Sequence, residues 1–236
     1  MKVCCIILAR GGSKGLKNKN ILDVCGKPLL AYTIEASLSS KNIDRTIVST
    51  DSKKIAEVAE RYGAEVPFLR PSLLSNDSAT SEVALQHALI WLEDNEQYYP
   101  DIIVYLQPTD LFRTIDMIEN CVDELIADSN LDSVFVGHVT HKNFWKIDSY
   151  GKFQPLNDEN YSHLPRQEKP MILREDTGLA LATRSKVIHG GSRIGKNVKI
   201  LPYESETNFV DIHSQFDLDL TKVLIKDFKK SPNKEI

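Results

Sequence analysis

Short apolar runs alternate with amphipathic segments through the first half of this chain, and few folds accept that order. Val3–Leu8, Arg45–Ser49, residues 65–69 and Ile102–Leu106 are short β-rich runs, three of them with the continuous apolar character of strands covered on both faces. Between and after them, Ile55, Val58, Ala59 and Tyr62 recur at i, i+3, i+4 and i+7, as do Leu85, Ala88, Leu89 and Leu92, and then Ile118, Cys121, Val122 and Leu125. Each set is the apolar stripe of a helix. A βαβα order implies right-handed crossovers and a doubly wound, mostly parallel α/β sheet, whose ligands bind beyond the carboxyl ends of the strands.

The second half is less regular. Residues 132–139 read as another strand, 144–152 as a hairpin turning at Ser149-Tyr-Gly151, and 157–169 as a polar stretch. Together, 140–174 predict an excursion from the sheet. Strand character resumes at 178–187 and 198–201, with a last short strand at 209–212. Leu220, Val223, Leu224 and Phe228 mark a closing helix before a charged tail. With neither a repeat nor a low-complexity linker, the pattern predicts one domain over 1–236.

Charge is nearly balanced, 29 basic against 33 acidic residues for a net charge of −4, which argues against general affinity for nucleic acid or anionic membrane. No apolar run approaches the roughly 18 residues of a membrane span, and Arg10 cuts the first run before a signal-peptide core could form. A soluble, cytoplasmic protein is expected. Cys4 and Cys5 adjoin on a strand while Cys25 and Cys121 stand alone, so neither zinc spacing nor a disulfide framework appears.

Against this background the loop after the first run stands out. Leu8-Ala-Arg-Gly-Gly-Ser-Lys-Gly-Leu16, continuing to Lys19-Asn20, carries Arg10, Lys14, Lys17 and Lys19 without an acid. Backbone N–H groups of Gly11, Gly12, Ser13 and Gly15 can turn inward, and the cations attract a multiply charged anion such as a triphosphate. A solvated surface loop would carry the same charges; the position at a strand's carboxyl end favours the anion site. The loop has neither G-x-x-x-x-G-K-[ST] nor G-x-G-x-x-G spacing, which disfavours a P-loop kinase or a dinucleotide oxidoreductase.

This opening, followed in order by Ile47-Val-Ser-Thr-Asp51, Gly63-Ala-Glu-Val-Pro-Phe-Leu-Arg-Pro71 with Asp77, and Leu106-Gln-Pro-Thr109 with Arg113, resembles the cytidylyltransferases that make CMP-sialic acids. Weaker echoes continue at Arg166-Gln167 and Asp211. The resemblance implies a Rossmann-like nucleotidyltransferase domain with a small dimerisation excursion, hence a homodimer. It implies transfer of CMP from CTP to the anomeric hydroxyl of a nonulosonic (sialic-type) keto-acid sugar, with release of pyrophosphate and help from a divalent metal, Mg²⁺ or else Mn²⁺. By matched position, Arg10, Gly12, Ser13, Lys14 and Lys19 would hold the triphosphate and Asn20 would brace their loop. Arg70, Asp77 and Ser81 would approach the cytidine, Gln107 the boundary between nucleotide and sugar, and Arg166 and Gln167 the sugar acid. Arg10, Lys19 and Asp211 would carry the catalysis. Taken alone, Arg70, Asp77 and Gln107 read equally well as a surface cation, a turn residue and a strand-end amide.

Three departures bear on specificity. The family's Asp-x-Asp pair becomes Asp211-Ile-His213, so the metal would be held by Asp211 and His213, an imidazole being less suited than oxygen to hard Mg²⁺. His213 could instead be a turn residue before a helix capped by Ser214 and Asp217. Gln-Pro-Thr is followed by Asp110-Leu-Phe-Arg113 where the family has Ser-Pro-Leu-Arg, and Asn-Gly-Ala-Ile-Tyr becomes Thr177-Gly-Leu-Ala-Leu181. The acceptor side has changed more than the nucleotide side, which opens legionaminate, pseudaminate and Kdo alongside N-acetylneuraminate. A sugar 1-phosphate nucleotidyltransferase and a CTP-binding module without turnover are the competing readings.

Overall fold

The apolar run Val3–Leu8 forms β1, the axis of a seven-stranded sheet. A computed structural model of the chain describes residues 1–12, 15–156, 164–204 and 210–228. After β1 come a small ladder of β2 (Asp23–Val24) with β3 (Lys27–Pro28), then α1 (Leu29–Ser39), β4 (Arg45–Ser49), α2 (Lys53–Arg61), α3 (Ser81–Glu96), β5 (Ile102–Leu106) and α4 (Ile115–Ala127). The second half contributes β6 (Ser133–Thr140), β7 (Trp145–Ile147), β8 (Phe153–Pro155), β9 (Ile172–Glu175), β10 (Leu181–Arg184), α5 (Ser185–His189), β11 (Val198–Tyr203) and α6 (Gln215–Phe228).

The sheet order is β11-β6-β10-β5-β1-β4, with β9 paired to β6. β4, β1, β5, β6 and β11 run in one direction, and β9 and β10 run against them. Both faces are covered, which explains the unbroken apolar runs. Along β1, Val3, Cys5 and Ile7 pack on one side with α1, α2 and α4, whereas Cys4 and Ile6 pack on the other with α3. Cys4, Cys5 and Cys121 are free buried thiols and Cys25 is exposed.

Three expected strands differ. Residues 65–69 make only isolated bridges, Ile47 to Glu65 and Thr50 to Leu69, because Pro67 between them has no N–H to give a ladder. The run 178–187 is a strand only over Leu181–Arg184 and continues as α5, while its first residues turn towards the end of β5. Val210 to Ile212 pairs with no strand; Ile212 turns its carbonyl to the Lys19 ammonium instead, at 2.7 Å. Phe209 lies outside the described residues.

The excursion leaves from Thr140 at the end of β6 and returns on β9, whose Ile172 pairs with Thr140. In between, β7 and β8 form the expected hairpin, with Trp145 opposite Pro155 and Ile147 opposite Phe153. Cross-strand partners share a face, so Trp145, Ile147, Phe153 and Pro155 make one apolar face. Trp145, Ile147 and Phe153 are all exposed.

Candidate active site

α1 takes the chain from β1 to β4 on one side of β1, and the route onward from β4 returns to β5 on the other. The strand order reverses there, and a cleft of about 360 Å³ opens at the carboxyl ends of β1 and β5.

The loop after β1 builds its first wall. Buried Asn20 donates from Nδ2 to the Arg10 carbonyl at 3.0 Å, and Gly11 N–H donates to Asp51 at 2.8 Å, so the loop is braced from inside and from β4. Gly15 passes so close to the closing segment that a Cβ there would lie 2.2 Å from the His213 carbonyl oxygen; no other residue fits without moving that segment. Arg10, Lys19 and Asn20 line the cleft, as the resemblance implies. Gly12 is exposed and outside the lining, and Ser13 and Lys14 lie outside the described residues. Burial pulls the Lys19 ammonium below the ordinary lysine range, with Arg10 acting the same way and Asp211 and Asp110 opposing.

Opposite stand Arg70, buried and donating from Nε to Ser75 at 2.9 Å, and Ser81, the first residue of α3. Leu8, Leu74 and Ala84 also line the cleft, which adds apolar surface to a few polar groups, the composition a base requires. Asp77, expected here, does not line the cleft; its carboxylate is 2.9 Å from the Arg10 guanidinium. It touches the cleft through Arg10.

Gln107 sits at the end of β5, its N–H held by the Gly178 carbonyl at 2.8 Å. Fully buried Arg113 locks that junction: its guanidinium donates to the carbonyls of Gln107, Gly178 and Leu179 and to the Thr33 hydroxyl. Burial lowers it to about 10. Arg113 is therefore a strut behind Gln107 and does not face the cleft.

Two acids, Asp110 and Asp211, stand close in sequence to the lining residues Thr109 and His213 without lining the cleft themselves. Burial, and then the Asp211 charge, raise the Asp110 carboxyl to about 6. Asp110 occupies the space a side chain at 178 would fill, a Cβ there falling 2.0 Å from its Oδ2, so Gly178 is what admits it. Asp211 Oδ2 lies 2.8 Å from His213 Nε2, while Asp211 Oδ1 is shielded from solvent without a hydrogen-bond partner. The pair expected to ligate a metal thus touches itself. Among the described residues no three His, Cys, Asp or Glu side chains converge on a metal-sized point, but Asp211 Oδ1 and the Asp110 carboxylate are hard oxygen donors with lone pairs to spare. One or two protein carboxylates completed by phosphate oxygens and water are what Mg²⁺ takes, so this set fits the ion. The sequence signal for Asp110 was the replacement of Ser-Pro after Gln-Pro-Thr, noted there without a role.

Arg166 and Gln167 do not join the cleft. They form a short exposed turn, Arg166–Glu168, on the returning limb of the excursion. Arg193, which no motif marked, stands behind Ser81 and donates to it at 3.0 Å.

A cation-lined loop facing a base-sized apolar end, with carboxylates beside them and no activated nucleophile in the lining, suits nucleotidyl transfer by positioning and charge neutralisation. Relatives agree. Over 234 residues, 96% of this chain and 97% of the other, it is 34% identical to CMP-N,N'-diacetyllegionaminic acid synthase of Legionella pneumophila. Over 102 residues, 43% of this chain and 44% of the other, it is 48% identical to pseudaminic acid cytidylyltransferase of Campylobacter jejuni. The structure of a CMP:2-keto-3-deoxy-manno-octonic acid synthetase complexed with CTP superposes with a TM-score of 0.72 over 96% of this chain and 99% of that one, at 16% identity, and shows the shared fold. With its residues 4–228 matching the cytidylyltransferase family profile, the chain belongs to that family of nucleotidyltransferases.

Proposed function

We propose that this cytidylyltransferase transfers CMP from CTP to the anomeric hydroxyl of a nonulosonic keto-acid sugar and releases pyrophosphate. The observation that carries the reading is the meeting of the cationic loop and the closing segment beside the cleft, where Lys19 bonds the carbonyl of Ile212, the neighbour of Asp211. Arg10 and Lys19 take the phosphate oxygens, with Lys19 nearest the α-phosphate. Arg70 and Ser81 hold the cytidine, and Gln107 directs the acceptor. The sugar oxygen forms a bond to the α-phosphorus as the bond to the β-phosphate oxygen breaks; the hydroxyl loses its proton to solvent and pyrophosphate departs with the bonding electron pair. Arg10 and Lys19 stabilise the charge that grows on those oxygens. Asp211 and Asp110 would hold a divalent metal, Mg²⁺ before Mn²⁺, which when bound neutralises the triphosphate. His213 orients Asp211.

The Legionella pneumophila relative, matched over 97% of its length, is named for N,N'-diacetyllegionaminic acid, whereas pseudaminic acid relatives match 43% to 57% of the chain. A legionaminate-type acid is therefore the first acceptor to test. We place the reaction in the cytoplasm, where CTP is made, and assign the exposed apolar face of the β7–β8 hairpin to a second copy of the chain. Pyrophosphate release from CTP with N,N'-diacetyllegionaminic, pseudaminic, N-acetylneuraminic and Kdo acids, with mass analysis of the product, tests the reading. A CMP-sugar phosphodiester supports it. A diphosphate-linked product from a sugar 1-phosphate, or CTP binding without pyrophosphate from any acid, overturns it.

A further inference from the structure

The closing segment that carries Asp211 leans on the loop after β1. Val210, Asp211 and Ile212 pair with no strand, so no ladder fixes their backbone, and the fully buried Ile212 side chain anchors them in a cluster with Tyr32, Phe112 and Leu218. The loop meets that backbone at two points. Lys19 Nζ donates to the Ile212 carbonyl at 2.7 Å, and Gly15 comes so close that a Cβ there would fall 2.2 Å from the His213 carbonyl oxygen. Leu16 packs against the same apolar cluster.

Asp211 adjoins both contacts. Its Oδ2 lies 2.8 Å from His213 Nε2, and its Oδ1 is shielded from solvent without a hydrogen-bond partner. The place of the carboxylate therefore depends on the backbone at 212 and 213, bonded by Lys19 at the first and packed on Gly15 at the second. An ammonium has three protons to donate. Lys19 can keep one on the Ile212 carbonyl while another reaches a phosphate oxygen, so a triphosphate does not have to release the segment.

We infer that Lys19 and Gly15 act as positioning residues for the Asp211 carboxylate, so that the loop which takes the phosphates also sets where the metal-binding carboxylate stands. The inference rests on the assignment of Asp211 to the metal. Groups that orient a metal ligand without touching the ion are worth about tenfold or more in metal affinity. Charge alone predicts the reverse for Lys19, because removing a cation near a carboxylate strengthens its hold on a second cation. The two accounts differ in sign.

The test uses Lys19→Met, which keeps the apolar stem and removes the donor, and Gly15→Ala, which changes no charge. Mn²⁺ affinity, read by electron paramagnetic resonance on the free protein and on its CTP complex, should fall about tenfold in both variants. Hydrogen–deuterium exchange over residues 210–217, which needs neither metal nor acceptor, should become about tenfold faster in both and stay unchanged in β1. Lys19→Arg keeps a donor and should recover most of the loss. Should one variant fail to fold, the other decides the matter. Unchanged or raised Mn²⁺ affinity in folded Lys19→Met, or unchanged exchange over 210–217 in folded Gly15→Ala, would overturn the inference. Wild-type protein that binds no Mn²⁺ in either form would instead refute the metal assignment of Asp211, while the exchange rates still report whether the loop holds the segment.

Discussion

The Arg10 guanidinium and the Asp77 carboxylate lie 2.9 Å apart at the rim of the cleft, with 35% and 49% of their side chains exposed. An ion pair this wet adds little stability, so its effect is on where Arg10 points and on what a phosphate must displace. Arg10→Ala should leave the melting temperature nearly unchanged and lower kcat/KM for CTP roughly 100-fold, the cost of one charge-assisted contact in the transition state. Lys19→Ala should do the same with a larger share in kcat. Asp77→Asn separates two roles: if Asp77 only restrains Arg10, CTP binds as well or a few-fold better, whereas a cytidine contact would raise its KM.

Asp110 gives a pH dependence of defined sign. Its folded-state value of about 6 exceeds the ordinary 3.8, so the native state binds this proton more tightly than the unfolded chain. The sign follows from that difference: the contribution of Asp110 to stability is highest below about 4, falls as pH rises towards 6, and stays reduced above it. Asp110→Asn removes the burden. In EDTA at pH 8 the variant should be more stable than wild type, by at most about 3 kcal/mol for a difference of about two units, and the gap should close by pH 4. Denaturant melts at the two pH values measure it, and equal melts at pH 8 would refute the buried charge. Activity with Mg²⁺ should fall in the same variant.

Much of this was legible in the sequence because periodicity reports burial. The covered strands β1, β4 and β5 and the apolar stripes of α2, α3 and α4 stand where the pattern places them. The loop's place was legible too, since Arg10, Lys19 and Asn20 line the cleft as the resemblance implies. What was hidden depends on contacts between distant residues. Pro67 thinned a strand to two bridges, which an apolar count cannot register. Arg113 looks like a motif cation and is a buried strut. Asp110 sits where it does only because Gly178, far along the chain, leaves room for it. Arg193 sits in an ordinary turn and meets Ser81, Glu82 and Glu175 on other elements only in the fold.

The hairpin face predicts the assembly. Trp145 and Phe153 are 62% and 67% exposed on the same side of a two-stranded ribbon, and a ribbon so small is marginal unless another surface covers it. Light scattering of the wild type should give a dimer. Trp145→Lys with Phe153→Lys should give a monomer that still binds CTP, because neither residue lines the cleft. A wild-type monomer at assay concentration, or a dimer unmoved by the double substitution, would refute this use of the face.

Asp211 and Asp217 stand on the same closing segment and should fail differently. Asp217 accepts from the backbone N–H groups of His213 and Ser214 at 2.9 and 2.7 Å, and Ser214 Oγ accepts from Asp217 N–H at 3.3 Å, a reciprocal cap on α6. Those backbone donors, His213 first, hold its carboxyl below the ordinary range. Asp217→Ala should therefore cost about 1 kcal/mol of stability and leave metal affinity alone. Asp211 instead keeps one oxygen shielded and unpartnered, with His213 on the other. Asp211→Asn should abolish metal-stimulated pyrophosphate release and weaken Mn²⁺ binding to the CTP complex, read by electron paramagnetic resonance, with the fold intact. His213 decides the rest. If it only orients Asp211, His213→Asn should retain the Mg²⁺ preference and lose activity modestly. If it is a ligand, His213→Asp should shift preference towards Mg²⁺ and away from Mn²⁺. An Asp211→Asn protein as active with Mg²⁺ as the wild type would show that the metal binds elsewhere.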